Sequence, residues 1–350
     1  MWPVTRPKFG KWNWVFLSSV RSYIQLVVTP MGCTKKEEMV RENSVSPSAP
    51  EFSIIIAVYN DWDLLSQSLE SLRKQNNAPT FEVIVVDDGS TDPAPEFIRV
   101  SNHGYPLSLI QQTHAGIPAS RNRGVRASHG TVLLFVDADS RLQANCLASL
   151  NSAIAQSPQQ DCFQLRLTGN CSSLVGRAEE LRLIHFQDHM LQPDGRIRYL
   201  NTAGFAIRRR RADIETGVFD PLALRGEDTL LLARLMEAGE LPLFVPDAMV
   251  EHSIPLSLLG ALRKDLRSAY LERQMYETIA ASGLKIYVTH RERLRLLSSM
   301  WRTARRDSIG RSAWFALVLR QTFKRVLSFG YHCLSRVSAK RSPDADRGAL

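Results

Sequence analysis

The 350-residue sequence contains no uninterrupted run of about twenty apolar residues, which excludes an obvious membrane-spanning helix. The nearest approach, WNWVFLSSVRSYIQLVV at residues 12 to 28, is broken by Arg21 and several serines. Phe16, Val20, Ile24 and Val27 recur there at helical spacing, which predicts an amphipathic helix lying on a surface. Arg21 within the apolar stretch, with no clean small-residue cleavage site after it, argues against a secretory signal. Cysteine is scarce and scattered: Cys33, Cys146, Cys162, Cys171 and Cys333 are odd in number, and no pair has the close spacing of a zinc or redox motif. Reduced thiols in a cytoplasmic chain are the expectation. No internal repeat is visible. Acidic residues are rare at one end. From Leu284 onward there are fifteen lysines and arginines against four acids, so the tail's net charge exceeds the chain's formal +9 and the rest of the chain is slightly negative. A near-neutral body with a basic tail argues against a protein that tracks nucleic acid and points to an anionic surface near the tail.

The sequence is otherwise that of an ordinary globular protein, 44% hydrophobic and 23% charged. Residues 29 to 50, with Pro30, Pro47 and Pro50, read as a linker. Beyond it the pattern changes abruptly. Residues 53–58, SIIIAV, form a short β-rich run suited to a parallel strand buried on both faces. A helix is predicted over 64–75, a strand over 81–86, a helix over 119–127 and a strand over 131–136. This alternation predicts an α/β fold with a mostly parallel sheet and helices on its faces. Further along, helices are expected over 173–191 and 228–238, with an extended piece over 197–207.

Two acidic clusters fall at the carboxyl ends of predicted strands, where open α/β sheets bind ligands. Asp137-Ala138-Asp139 sets two carboxylates one residue apart, able to share Mg²⁺ or Mn²⁺ with phosphate oxygens. Asp87-Asp88-Gly89-Ser90 can offer a carboxylate to a base N–H, with Gly89 allowing a tight turn. Tyr59-Asn60 ends the first strand and presents an aromatic face. Each signal is weak alone, because acidic pairs commonly cap turns and aromatics commonly close cores.

Their order and spacing are more specific. SIIIAVYN (53–60), VIVVDDGSTD (83–92), AGIPASRNRGVRASHGTVLLFVDADS (115–140), TAGFAIRRR (202–210), GVFD (217–220), GEDTLLLARLMEAG (226–239) and VEH (250–252) together resemble the family 2 inverting glycosyltransferases of GT-A fold. The resemblance covers about residues 50 to 269. It implies a metal-dependent transferase that moves a sugar from a nucleotide-diphosphate donor to an acceptor hydroxyl. Carried over by position, it implies that Tyr59 stacks on the base, Asp88 hydrogen-bonds it and Arg121 lies near the diphosphate. Asp139 would ligate the metal, Asp137 would turn toward the ribose or sugar, and His252 would complete the metal or diphosphate site. Asp228 would be the catalytic base, with Glu227 raising its proton affinity.

The expected donor is a UDP-sugar and the expected acceptor a saccharide or lipid-linked molecule of surface polysaccharide or glycolipid synthesis. Where many members carry Asn, residues 202–205 read Thr-Ala-Gly-Phe, which leaves the sugar open. The run Arg208 to Arg211 reads as a solvated basic surface. The organisation expected is an N-terminal amphipathic segment and linker (1–49), a transferase domain (50–283) and a basic helical extension (284–350). Trp314, Leu317, Val318, Phe323 and Leu327 with Arg320, Lys324 and Arg325 would dock that extension on an anionic membrane, the inner face of the cell membrane. The alternative is a catalytically inactive nucleotide-binding or scaffold protein of the same fold. Intact Asp88, Asp139, Asp228 and His252 weigh against it.

Overall fold

The computed structural model describes residues 50–99, 103–170, 173–221, 223, 226–253, 259–263, 265–266, 289–306 and 308–340. The expected amphipathic segment and linker at 1–49 lie outside them. The strands are β1 (Phe52–Val58), β2 (Phe81–Asp87), β3 (Leu107–Gln111), β4 (Val132–Asp137), β5 (Ser140–Leu142), β6 (Cys162–Asn170), β7 (Phe205–Arg208) and β8 (Leu243–Ser253). They form one sheet in the order β3-β2-β1-β4-β7-β6-β8-β5. The β1, β2, β3 and β4 neighbours pair in parallel, whereas β7 is antiparallel to both β4 and β6. The sheet is therefore mixed, with its parallel half nearest the N-terminal strands.

The continuous apolar composition of β1 follows from burial on both faces. Ile54, Ile56 and Val58 pack with Leu65, Leu69 and Leu72 of helix α1 (Trp62–Arg73) and with Leu147, Leu150 and Ile154 of a later helix, Cys146–Gln156. Ile55 points to the other side, toward Val125 of Ile117–Ala127 and Leu231, Leu232 and Leu235 of Glu227–Glu237. In chain order these helices are α1, α2 (Glu96–Arg99), α3 (Ile117–Ala127), α4 (Cys146–Gln156), α5 (Leu174–Met190) and α6 (Glu227–Glu237). The result is the three-layer α/β arrangement expected of alternating strands and helices.

The extended piece expected over 197–207 is strand only from Phe205. A 3-10 turn at Thr202–Gly204 precedes it, capped by Asn201, whose side chain accepts from the Ala203 N–H at 2.9 Å. Of the four arginines after it, Arg210 is exposed, as expected of a solvated basic surface, but all four are also anchored to the fold. Arg208 donates to the carbonyls of Ile154, Gln160 and Ser157 at the end of α4. Arg209 holds the Gly130 carbonyl and Ser128, Arg210 pairs with Asp161, and Arg211 pairs with Glu240. The run fastens the back of the sheet.

Two C-terminal helices complete the described chain, α7 (His290–Ala304) and α8 (Ser308–Lys340). Thr289 and Glu292 form a reciprocal capping box that starts α7. Ala313 and Leu317 of α8 are buried against Ala178 and Leu181 of α5 and Met300 and Ala304 of α7. Arg320 is 5% exposed and bonds Asp265 at 2.9 and 3.1 Å and Glu179 at 3.0 Å. Of the apolar residues expected to face a membrane, Leu317 is buried in this packing, Trp314 and Val318 are half-buried, and Phe323 is exposed.

Candidate active site

Register in the parallel half brings the motif residues to one level. Val58 pairs with Asp87 and Ala57 with Asp137, so Tyr59, Asp88 and the Asp137–Asp139 turn leave the sheet at the same edge. A pocket of about 200 Å³ opens there, with Tyr59, Asp61, Asp88, Arg121, Asp137 and Asp139 among its lining residues.

Tyr59 is 44% exposed, its ring centred 4.8 Å from that of His114. The adjoining Asn60 is a fastener. Its side-chain oxygen accepts from the N–H groups of Thr91 and Asp92, at 2.8 and 3.2 Å. Asp88 is almost fully buried, and its carboxylate accepts from the Ala115 and Gly116 N–H groups at 2.9 Å each and from Gln112 at 2.8 Å. Burial pushes its carboxyl up, but these hydrogen bonds outweigh it and hold the group below its ordinary value. Gly89 makes the arrangement possible. Its φ is +76°, and a Cβ there would lie 2.7 Å from the His114 nitrogen.

Arg121, in α3, is 3% exposed and bridges two motifs. One guanidinium nitrogen donates to Asp137 at 2.7 Å and another to Glu227 at 2.6 Å, while the group lies 5.5 Å from the Phe219 ring centre. Desolvation acts against its charge, yet Asp137 and Glu227 more than compensate and raise its pKa. Asn122, the next residue, is also buried and holds both the N–H and the carbonyl of Phe219. Arg121 and Asn122 thus join the first acid of the Asp-x-Asp turn to the segments leading into α6.

Asp139 and His252 are brought together by strand pairing. Ser140 of β5 pairs with His252 of β8, and the His252 Nδ1 lies 3.1 Å from Asp139 Oδ1. That oxygen is buried and makes no hydrogen bond. A buried carboxylate oxygen beside an imidazole nitrogen is a donor pair that a divalent cation can use. Among the described residues no group of three or more His, Cys, Asp and Glu side chains forms a closed metal cage. The pair therefore fits a cation completed by oxygens of a ligand and water, as Mg²⁺ commonly is.

Asp228 stands at the start of α6, after Gly226 with φ of +78°. Its Oδ1 accepts from the Thr229 N–H at 2.6 Å. Burial, and then the charge of neighbouring Glu227, push its carboxyl up to about 6. The effect attributed to Glu227 from the sequence is present, second to desolvation.

Two pocket features escaped sequence reading. Asp61, an exposed acid at the rim, has its carboxyl raised by partial desolvation and then by the charge of Asp139. Its place just after Tyr59-Asn60, at a strand end, was the available signal. His114 contacts both Tyr59 and Asp88, with its Nδ1 2.9 Å from Asp88 Oδ2. Nothing distinguishes this lone histidine in the sequence.

Residues 53–217 match the model of glycosyl transferase family 2. Over 109 residues the chain is 34% identical to a putative glycosyltransferase, EpsH, of Bacillus subtilis, covering 30% of each protein. Over 93 residues it is 38% identical to an uncharacterized glycosyltransferase, YibD, of Escherichia coli, covering 26% of this chain and 27% of that one. The matched segment thus spans under a third of these relatives' length. A structure of S. aureus TarS 1-349 in complex with UDP aligns with 81% of this chain and 91% of its own, at 18% identity and a TM-score of 0.49, too low for inference from shape. The family match covers the Tyr-Asn, Asp-Asp-Gly-Ser, Ser-Arg-Asn and Asp-x-Asp segments whose side chains converge at the sheet edge, and over residues 53–217, just under half of its length, the chain is similar to glycosyl transferase family 2.

Proposed function

We propose that this protein transfers a sugar, with inversion, from a nucleotide-diphosphate donor to an acceptor hydroxyl, and that residues 50–283 form the catalytic domain. The observation that carries the reading is the Arg121 bridge. It ties the Asp137–Asp139 turn to Glu227, next to a carboxylate raised to about 6, so a cation-and-phosphate site and a base share one buried cation.

The base of the nucleotide would lie against Tyr59 and be hydrogen-bonded by Asp88, with Asp137 facing the ribose or sugar. Asp139 and His252 would hold Mg²⁺ or Mn²⁺, which neutralises charge on the diphosphate as it departs. Arg121 fixes the direction of the Asp137 carboxylate. Asp228 receives the acceptor proton. With Oδ1 accepting from Thr229, Oδ2 would be the oxygen that takes it. As the hydroxyl oxygen bonds to the anomeric carbon, the carbon–oxygen bond to the diphosphate breaks on the opposite side and the nucleoside diphosphate leaves with that electron pair. A carboxylate that titrates near 6 is ionised at neutral pH yet basic enough to help, which is the compromise general-base catalysis favours.

A UDP-sugar is the proposed donor, because Tyr59 with Asp88 suits a pyrimidine. A saccharide or lipid-linked acceptor, met at the cytoplasmic face of a membrane, is the proposed co-substrate. Screening UDP-, GDP- and TDP-sugars for Mn²⁺-dependent nucleotide release tests this directly. Release from a UDP-sugar supports the reading. Tight nucleotide binding without release from any of them supports the inactive nucleotide-binding alternative instead.

A further inference from the structure

The apolar residues of α8 divide between two faces. Ala313 and Leu317 turn inward with the buried Arg320. The opposite face keeps a row of large apolar side chains in solvent: Phe315 is 60% exposed, Leu319 72%, Phe323 40% and Val326 64%. Their spacing, i, i+4, i+8 and i+11, places them along one side of the helix. Phe315 also joins an aromatic group with Trp301 and Trp314, at ring separations of 5.8 and 5.2 Å. Four large apolar residues exposed in line on one helix exceed the isolated apolar residues ordinary on a surface.

Charge indicates what covers them. Arg311 and Arg325 are exposed on α8, and Arg302, Arg305 and Arg306 are exposed where α7 ends. From Arg293 to Lys340 the sequence contains a single acid, Asp307. A second copy docking by the same face would bring arginines to arginines with almost no carboxylate between them. An anionic lipid surface accepts both parts of the pattern, with phosphate headgroups for the arginines and the acyl boundary for the phenylalanines, leucine and valine.

We propose that the outward face of α8 docks this protein on an anionic membrane, through Phe315, Leu319, Phe323 and Val326 and the arginines beside them. The row differs from that expected of the sequence because packing on α5 claims Leu317 for the interior. This inference stands apart from the transfer reading, since vesicle binding needs neither donor nor catalytic residues.

The full chain should co-sediment with vesicles containing phosphatidylglycerol and be released by salt, and should not sediment with pure phosphatidylcholine. L319E/V326E changes only the two most exposed side chains of the row, so its melting temperature should match the parent. Its partition onto anionic vesicles should fall about tenfold or more, as expected when two buried apolar side chains are lost. Equal partition of parent and variant would overturn the proposal, as would absence of the parent from anionic vesicles. Light scattering that shows a dimer dispersed by the same variant would reassign the face to self-association.

Discussion

Replacing Asp228 by Asn separates stability from turnover, and the structure sets both signs. Folding raises this carboxyl from 3.8 to about 6, because it is half-buried and beside Glu227. The folded protein therefore binds this proton more tightly than the unfolded chain does. The resulting cost to stability is absent below about pH 4, grows through the interval between those values, and is complete above about 6. Converted at 1.36 kcal/mol per pH unit, it amounts to about 3 kcal/mol at pH 7. An ionised carboxylate at a helix start recovers ~0.5–1 kcal/mol, which Asn forgoes. The amide oxygen can still accept from the Thr229 N–H, so D228N should be more stable than the parent by ~2 kcal/mol at pH 7, with the advantage vanishing near pH 4. Turnover should fall by about 10²–10⁴-fold, because the amide cannot take the acceptor proton. Parent kcat/KM should drop about fivefold from pH 6 to pH 5 and level off above pH 7. Thermal melts at pH 4 and 7, donor affinity by calorimetry and nucleotide release together check this. A variant that melts below the parent at pH 7, or that turns over within a few-fold of it, would refute the reasoning.

Two further predictions concern the charges around this base. Chelation of divalent cations or D139A should abolish transfer, and H252A should weaken the apparent Mn²⁺ affinity by about 10–100-fold in a metal titration; undiminished activity in excess chelator would remove the cation from the site. R121M leaves Asp137 and Glu227 without their shared cation and should cost about 3–5 kcal/mol in a denaturant melt. R121K should recover part of that loss. Since Arg121 lowers the Asp228 carboxyl, R121M should also move the acidic limb of any residual pH profile upward.

Much of this site was legible because parallel strands advertise themselves. The apolar runs at 53–58, 81–86 and 131–136 fall within one or two residues of β1, β2 and β4, and their polar ends form the pocket. The second half of the sheet was hidden. In β8, Pro246 interrupts LFVPDAMVEHS, a feature that argues against a strand. The structure accommodates it at a register shift: Val245 pairs with Leu165 and Met249 with Arg166, so Pro246, Asp247 and Ala248 bulge from the ladder. The role of Arg121 was half visible. The sequence suggested a place near the diphosphate, but not its pairing with Asp137 or with Glu227, which lies 106 positions away and is brought to it only by tertiary packing. The anchoring of the arginine run at 208–211 was hidden for the same reason, since its partners are carbonyls and acids supplied by the fold.

The pairing of Ser140 with His252 also acts as a ruler. Side chains alternate across a strand, so one residue inserted or deleted between the bulge at 246–248 and His252 would turn the imidazole to the opposite face of the sheet. Asp139 would then face a side chain of different chemistry, although the ladder itself could re-form. The bulge, by contrast, already holds residues outside the register and can take up a change in length. For circular permutation, loop grafting or the interpretation of natural length variants, the segment Met249–His252 is therefore intolerant of insertion out of proportion to its size, whereas the residues immediately before it are a permissive joint.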